Sequence, residues 1–129
     1  MAKSYFDWGK LSKGDDYFYK GKVKQGGSFD INFTVKGSES VYTHFELYNF
    51  KDDLDLFIYR DDGSKSRRPY YEIASSESDG KKTEAIFKGL TPGNYILEIE
   101  HFENLDRKRK DSKFTVDLDA KTFYKNAKL

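Results

Sequence analysis

Apolar and polar residues alternate strictly in several short stretches of the chain. The clearest is SFDINFTV at 28–35, in which every second residue is apolar. A period of two places successive side chains on opposite faces of a β-strand, so that one face is buried and the other solvated. The apolar positions of four further stretches are Val41, Phe45 and Leu47; Leu54, Leu56 and Ile58; Tyr95, Leu97 and Ile99; and Phe114, Val116 and Leu118. The pattern therefore predicts five half-buried strands.

Weaker alternation predicts strands at 17–23 and 84–88, with a possible further strand at 69–75. Turn signals such as Gly26-Gly27, Asp62-Gly63 and Pro92-Gly93 separate these segments. No stretch has convincing helical periodicity, and the first ten residues predict at most a short turn. Seven or eight short antiparallel strands, each with one buried face, favour an all-β sandwich or jelly roll.

Composition indicates one domain and selects no partner. The chain has 129 residues and a formal net charge of +1, and 17% of its residues are aromatic, which supplies enough large apolar surface for a packed core. There is no cysteine, which excludes disulfides, cysteine-based zinc sites and a thiol nucleophile. Two polar connections, at 63–69 and 103–112, predict solvated loops.

Neither a membrane span nor a secretion signal is recognisable. No apolar run approaches the roughly 18 residues that cross a bilayer, and the start MAKSYFDWGK lacks the apolar middle of a signal peptide. We expect a cytoplasmic protein if the chain is complete, and a secreted one if it is a domain excised from a longer exported parent.

The order of five motifs resembles the bacterial pre-peptidase C-terminal domain. The motifs are KGDDYFYKGKVKQGG at 13–27, SFDINFTV at 28–35, DDLDLFIYRDDG at 52–63, GLTPGNYILEIEH at 89–101 and SKFTVDLD at 112–119. The resemblance implies a single antiparallel β-sandwich of jelly-roll type over residues 12–120, with an N-terminal segment at 1–11 and a tail at 121–129. It also implies a non-catalytic appendage of secreted proteases, some of which bind calcium or extracellular polymers, as the collagen-binding domains of collagenases do.

The acidic run at 52–63 contains the first candidate metal ligands. Asp53 and Asp55 share one strand face, whereas Asp62 lies roughly 30 Å from Asp53 if the segment is extended, so one ion cannot contact both ends. Clustered carboxylates are the ligands that Ca²⁺ prefers. The alternative, which the family resemblance favours, is a structural role in which the carboxylates hold a neighbouring loop by hydrogen bonds. Asp61-Asp62-Gly63 is interpreted as a turn.

A second acidic pair lies directly before the predicted strand at 17–23. Asp15 and Asp16 either cap the turn after Gly14 or join Asp53 and Asp55 in a shared calcium site if the two loops meet. We favour the cap, since loop adjacency cannot be derived from the sequence.

Aromatic residues exceed what one sandwich core needs and suggest a contact surface. Phe57 and Tyr59 share a strand face with Asp53 and Asp55, and Tyr70 and Tyr71 follow in the possible extra strand. Outward rings suit a polymer, a sugar or another subunit. The alternative is that these rings cover a sheet edge or lie beneath the 64–80 segment.

Residue types that would indicate catalysis or nucleic-acid binding are poorly represented. The two histidines, His44 and His101, are isolated in strand patterns, and no nucleophile motif is present, so no enzymatic activity is expected. The basic clusters at 67–68 and 107–110 are flanked by acids and predict solvated loops rather than a nucleic-acid site.

The sequence thus predicts a binding or adhesion module that recognises an extracellular polymer or protein, with Ca²⁺ as a candidate stabilising ion. The alternative is a stand-alone structural subunit of a larger assembly that uses the same aromatic face.

Overall fold

Strands make up most of the described structure. The computed structural model describes residues 5–38, 40–51, 53–61, 70–77, 83–101 and 111–121. Within these ranges the strands are β1 (Tyr5–Leu11), β2 (Asp16–Lys24), β3 (Ser28–Val35), β4 (Val41–Tyr48), β5 (Leu54–Asp61), β6 (Tyr70–Ser76), β7 (Glu84–Leu90), β8 (Gly93–His101) and β9 (Asp111–Lys121). The described part of the chain contains no helix that is long and apolar enough to cross a membrane.

The strands form two sheets that pack face to face. The five-stranded sheet has the order β1-β3-β8-β5-β6, and the four-stranded sheet has the order β2-β9-β4-β7. Between described strands all pairings are antiparallel except that of β1 with β3, which is parallel. The predicted β-sandwich is therefore confirmed, with one parallel edge strand added to it.

The core lies between the sheets and consists of the alternating positions that the sequence predicts. In the five clearest strand patterns, every apolar residue at an inward-facing position is at most 5% exposed. Phe33 lies at the centre, where its ring centroid is 5.4 Å from that of Tyr95, 5.9 Å from that of Phe45 and 6.3 Å from that of Trp8. Burial of these rings and aliphatic side chains is the main stabilising contribution to the fold.

A second cluster of aromatic rings packs next to β2. The Tyr19 ring lies 5.1 Å from Phe29, 6.2 Å from Phe114 and 4.6 Å from Phe6, measured between ring centroids. A Cβ atom at Gly21 would lie 2.5 Å from Cε2 of Tyr19. Because the Tyr19 ring is held on three sides, glycine is the residue that fits at position 21.

Strand β1 is the main feature that alternation does not predict. Residues 5–11 of the expected N-terminal segment pair with β3, and the register shifts between Asp7 and Gly9, where a carboxylate oxygen of Asp7 accepts a hydrogen bond from the Gly9 amide at 2.7 Å. The Trp8 indole donates to the Phe18 carbonyl at 3.3 Å, and the Tyr17 hydroxyl donates to the Lys10 carbonyl at 2.6 Å. β1 therefore links the two sheets at one edge of the sandwich.

Several sequence-based expectations lie partly or wholly outside the described residues. These are the turn at 62–63, the loop at 63–69, residues 102–110 of the second loop with its basic cluster, and the tail beyond Lys121. Asp111 and Ser112, which the loop prediction included, instead begin β9.

Replacing Phe33 with alanine should strongly destabilise the fold. The side chain is 2% exposed and packs against three other rings, so the truncation leaves a cavity that should cost about 3 to 5 kcal/mol. Phe18→Ala is the matched control, because Phe18 is 65% exposed on the outer face of the four-stranded sheet. Urea unfolding measures both variants, and equal losses would contradict the assignment of the core.

Candidate functional site

The outer face of the five-stranded sheet is rich in carboxylates. Alternation along β3, β5 and β8 turns Asp30, Asp55, Glu98 and Glu100 away from the core. The register places Glu98 directly opposite Asp30, and Glu100 directly opposite Asp55. Like charges at directly opposed positions repel one another. Together with Glu72 on β6, these four residues are called the acidic face below.

The predicted cation ligand Asp55 lies in this acidic face at the start of β5. Burial, followed by the charges of Asp53, Glu84, Glu77 and Glu100, raises the pKa of Asp55 to about 7. Its Oδ1 atom is buried and has no hydrogen-bond partner among the described groups. A cation would relieve the repulsion that Asp55 experiences when it is ionised.

Glu98 occupies the centre of the acidic face, between Asp30 on β3 and Phe57 on β5. Burial, then the neighbouring charges of Asp30, Glu100 and Glu72, raises the pKa of Glu98 to about 7. Burial also raises the pKa of Asp30. Ionising the carboxyl groups at the centre of this face is therefore costly, because they are partly buried and close to other negative charges.

The second predicted acidic pair lies on another part of the molecule. A carboxylate oxygen of Asp15 accepts hydrogen bonds from the Ser12 amide at 2.6 Å and from the Tyr17 hydroxyl at 3.3 Å, which is a local turn contact. Asp16 faces outward from the four-stranded sheet, opposite Asp119. A hydrogen bond with Asp16, followed by burial, raises the pKa of Asp119.

The described structure does not bring the two acidic pairs together. Asp16 and Asp55 point outward from different sheets, and the core between two packed sheets is about 10 Å thick. The described residues also contain no group of three or more acidic or histidine side chains placed to hold a metal ion. Any cation at Asp53 and Asp55 would need oxygen ligands from beyond these two side chains.

The four predicted contact aromatics do not form one strip. Phe57 and Tyr59 face outward on β5 with ring centroids 6.3 Å apart, but Phe57 is only 8% exposed. Burial, then the nearby charges of Glu98 and other carboxylates, raises the pKa of Tyr59 to about 12. Tyr70 and Tyr71 are 43% and 46% exposed, and as successive residues of β6 they point to opposite faces.

The two histidines lie in different sheets and in different surroundings. His101 is buried at the end of β8, where its Nδ1 is 3.3 Å from the Val23 carbonyl oxygen. The His44 ring stacks on Phe87 with centroids 4.2 Å apart. Because they lie in different sheets, the two imidazole rings cannot act together as an acid–base pair.

Sequence reasoning missed the central members of the acidic face. Alternation shows that Asp30, Glu98 and Glu100 point outward, but their proximity to Asp55 follows only from the pairing of β8 with both β3 and β5. Knowledge of the strand order would have been sufficient to find them.

Glu98→Gln should stabilise the protein at alkaline pH. A carboxyl whose folded pKa is raised stabilises the fold at low pH, and this contribution is lost as pH rises from about 4.5 towards 7. We compare the free energy of unfolding of the variant with that of the wild type. Because solvent screens a half-buried group, this difference should be more favourable to the variant at pH 8 than at pH 4 by on the order of 1 kcal/mol. Urea unfolding at both pH values measures this, and a difference that does not change with pH would contradict the role assigned to Glu98.

Comparison with known proteins relates the chain to others by structure rather than by sequence. A scan against protein-family models and curated proteins finds no match. Among solved structures, the pre-peptidase C-terminal domain of a Bacillus anthracis collagenase is similar with a TM-score of 0.57 and 13% identity, over 94% of this chain and 98% of that one.

Two other kinds of protein share the architecture. A periplasmic inhibitor of g-type lysozyme from Aeromonas hydrophila gives a TM-score of 0.58 at 9% identity, over 91% of this chain and 99% of that one. A mitogen derived from Yersinia pseudotuberculosis gives 0.56 at 16% identity, over 88% and 92% of the two chains. At such identities the similarity concerns the fold alone. The sequence-based resemblance is thus confirmed at this level: the chain has the β-sandwich fold of a pre-peptidase C-terminal domain.

Proposed function

We propose that the chain is a non-catalytic binding module that takes a protein or extracellular polymer at the β5–β6 edge of the five-stranded sheet. The observation that carries the proposal is the exposure of Tyr70 and Tyr71, at 43% and 46%, at the start of the edge strand β6. Tyrosine rings supply a large amphipathic contact area at low entropic cost, and they are enriched at the centres of binding interfaces.

The surroundings of these tyrosines support a contact role. Tyr70 lies opposite Asp61 and Tyr71 opposite Arg60 on the neighbouring strand β5. The Arg60 guanidinium is fixed, because it donates to the Pro92 carbonyl at 2.9 Å and lies 5.3 Å from the centroid of the Tyr95 ring. Strand β6, which presents the two rings, pairs with a strand that is anchored in this way, and this limits the entropy lost on binding.

The structural neighbours support a binding role outside the cytoplasm. One is described as a domain of a collagenase and another as a periplasmic inhibitor of a lysozyme. A fold does not determine a function, so these neighbours supply target classes to test rather than an identification. The two classes are an extracellular polymer, represented by fibrillar collagen, and a protein, represented by g-type lysozyme.

Binding to one of these two probes should depend on the tyrosine pair. Cosedimentation with fibrillar collagen and inhibition of g-type lysozyme are the measurements. The double variant Tyr70→Ala/Tyr71→Ala should weaken the observed binding by about 10-fold or more, since truncated aromatic hot spots typically cost 1 kcal/mol or more each.

A matched variant and the oligomeric state complete the test. Tyr5→Ala is the control, because Tyr5 is 56% exposed on the opposite edge strand β1 of the same sheet. Equal binding by the double variant and the wild type would contradict the assigned surface. If the wild type neither binds fibrillar collagen nor inhibits g-type lysozyme, both target classes are rejected. Self-association in sedimentation velocity that the double variant abolishes would instead favour the structural subunit.

Calcium is proposed as a stabilising ion at Asp53 and Asp55. Its support is electrostatic, since four neighbouring carboxylates raise the pKa of Asp55 and a divalent cation would offset their charge. If the dissociation constant is about 10 μM, 1 mM CaCl₂ should add about 2.7 kcal/mol of stability and raise the melting temperature by several degrees relative to a chelator.

The control for calcium binding removes one candidate ligand. Asp55→Asn should abolish most of the calcium-dependent shift in calorimetry, and MgCl₂ should produce a smaller shift than CaCl₂ in the wild type. Identical melting temperatures of the wild type in calcium and in chelator would refute the calcium site.

A further inference from the structure

A basic cavity lies on the outer face of the four-stranded sheet, on the opposite side of the molecule from the acidic face. Alternation turns Lys20 and Lys22 outward on β2, and Lys113 and Thr115 outward on β9. The register places Lys22 directly opposite Lys113, and Lys20 opposite Thr115. These side chains line a cavity of about 340 Å³, which Asn49 borders at the end of β4.

The three lysines around this cavity have no acidic ion-pair partner in the part of the chain that the structure describes. Lys22 and Lys113 are like charges at directly opposed positions, an arrangement that is destabilising unless an anion compensates it. In the described ranges, no carboxylate forms an ion pair with Lys20, Lys22 or Lys113.

The acids of this face lie beside the cavity and do not line it. Asp117 accepts a hydrogen bond from the Tyr48 hydroxyl at 2.9 Å, and Asp119 is hydrogen-bonded to Asp16 at the far end of β2. Asp111 lies opposite Lys24, one outward position beyond the cavity. Glu46 on β4 lies opposite Asp117, also outside the cavity. The residues that line the cavity thus include three lysines and no acid.

The chemistry of the lining selects a negatively charged ligand rich in oxygen. Three of the lining residues are lysines, whose ammonium groups are hydrogen-bond donors only, and the side chains of Thr115 and Asn49 can also donate. Lysine binds phosphate and sulfate as a point charge. The cavity volume also exceeds that of a bare ion and falls in the range of small-molecule sites, so it has room for part of the molecule that carries the anion.

We propose that this cavity binds a sulfate or phosphate ester group through Lys20, Lys22 and Lys113. The site is separate from the tyrosine edge proposed above, and neither proposal depends on the other. A module with both would contact a target at the β5–β6 edge and an anionic group on the opposite sheet.

Amide chemical-shift titration tests the site with defined probes. Inorganic sulfate, inorganic phosphate, glucose 6-phosphate and a sulfated disaccharide are each added at constant ionic strength, balanced with NaCl. We expect saturable shifts at residues 20–22 and 113–115, with tighter binding of an ester than of the bare ion. A preference for the phosphate or the sulfate ester identifies the source of the anion, whereas shifts that track ionic strength alone would overturn the proposal.

Variants that remove one lysine each distinguish binding in the cavity from non-specific attraction of an anion to a basic surface. Lys113→Gln and Lys22→Gln should each weaken ester binding by about 5- to 10-fold, since each removes one of three positive charges. Lys24→Gln is the matched control, because it removes an exposed lysine of the same strand that does not line the cavity. Equal weakening by all three variants would overturn the site.

A stability measurement separates loss of binding from loss of folding. Without ligand, Lys113→Gln should melt at the same temperature as the wild type or higher, because it removes the repulsion with Lys22. Its stabilisation by millimolar ester should disappear. A lower melting temperature together with unchanged ester-dependent stabilisation would contradict the proposed role of Lys113.

Discussion

Burial of every second residue between the two sheets is the constraint on which the rest of the structure depends. Because the side-chain period of a strand is two, the choice of inward residues also decides which residues face solvent. A one-residue slip of β8 would turn Tyr95, Leu97 and Ile99 outward and bring Glu98 into the core. The large free-energy cost of that exchange fixes the register, and the register in turn places Glu98 opposite Asp30.

The outer faces are therefore determined by the core rather than by local electrostatics. Isolated from the core, the Asp30–Glu98 and Lys22–Lys113 pairings would be avoided, since like charges at opposed positions repel. Core packing is large enough to impose both arrangements at a cost of on the order of 1 kcal/mol each. Pairs of like charge on the surface are more informative about ligands than pairs of opposite charge, because a bound ion of opposite sign can offset the free-energy cost of their repulsion.

The sequence was sufficient to predict the strands whose two faces differ in polarity, but not the way in which they associate. β3, β4, β5, β8 and β9 follow from alternation alone. β1 does not, because its sequence YFDWGKL is interrupted by a bulge at Gly9 and stays largely exposed. Its parallel pairing is a tertiary property, supported by long-range hydrogen bonds from Trp8 and Tyr17.

The candidate sites were less predictable than the fold because they combine strands that are distant in sequence. Proximity in sequence suggested that Asp53 and Asp55 form the centre of the acidic site, whereas β8 contributes the neighbouring carboxylates. Phe57 illustrates the same limit, since its outward position is evident from alternation but its 8% exposure is not. Burial of an outward ring depends on its neighbours in the sheet, and those neighbours follow only from the strand order.

The formal net charge of +1 conceals two local groups of like charge, the acidic face on one sheet and the three lysines of the basic cavity on the other. The acidic face and the basic cavity lie on opposite sides of a core that is about 10 Å thick, while the Debye length at physiological ionic strength is about 8 Å. Outward charges on the two sheets are separated by more than either length, so solvent and salt screen one face from the other. The acidic face and the lysines of the basic cavity therefore have little electrostatic influence on each other. A nearly neutral overall charge therefore excludes neither the cation site proposed on one sheet nor the anion site proposed on the other.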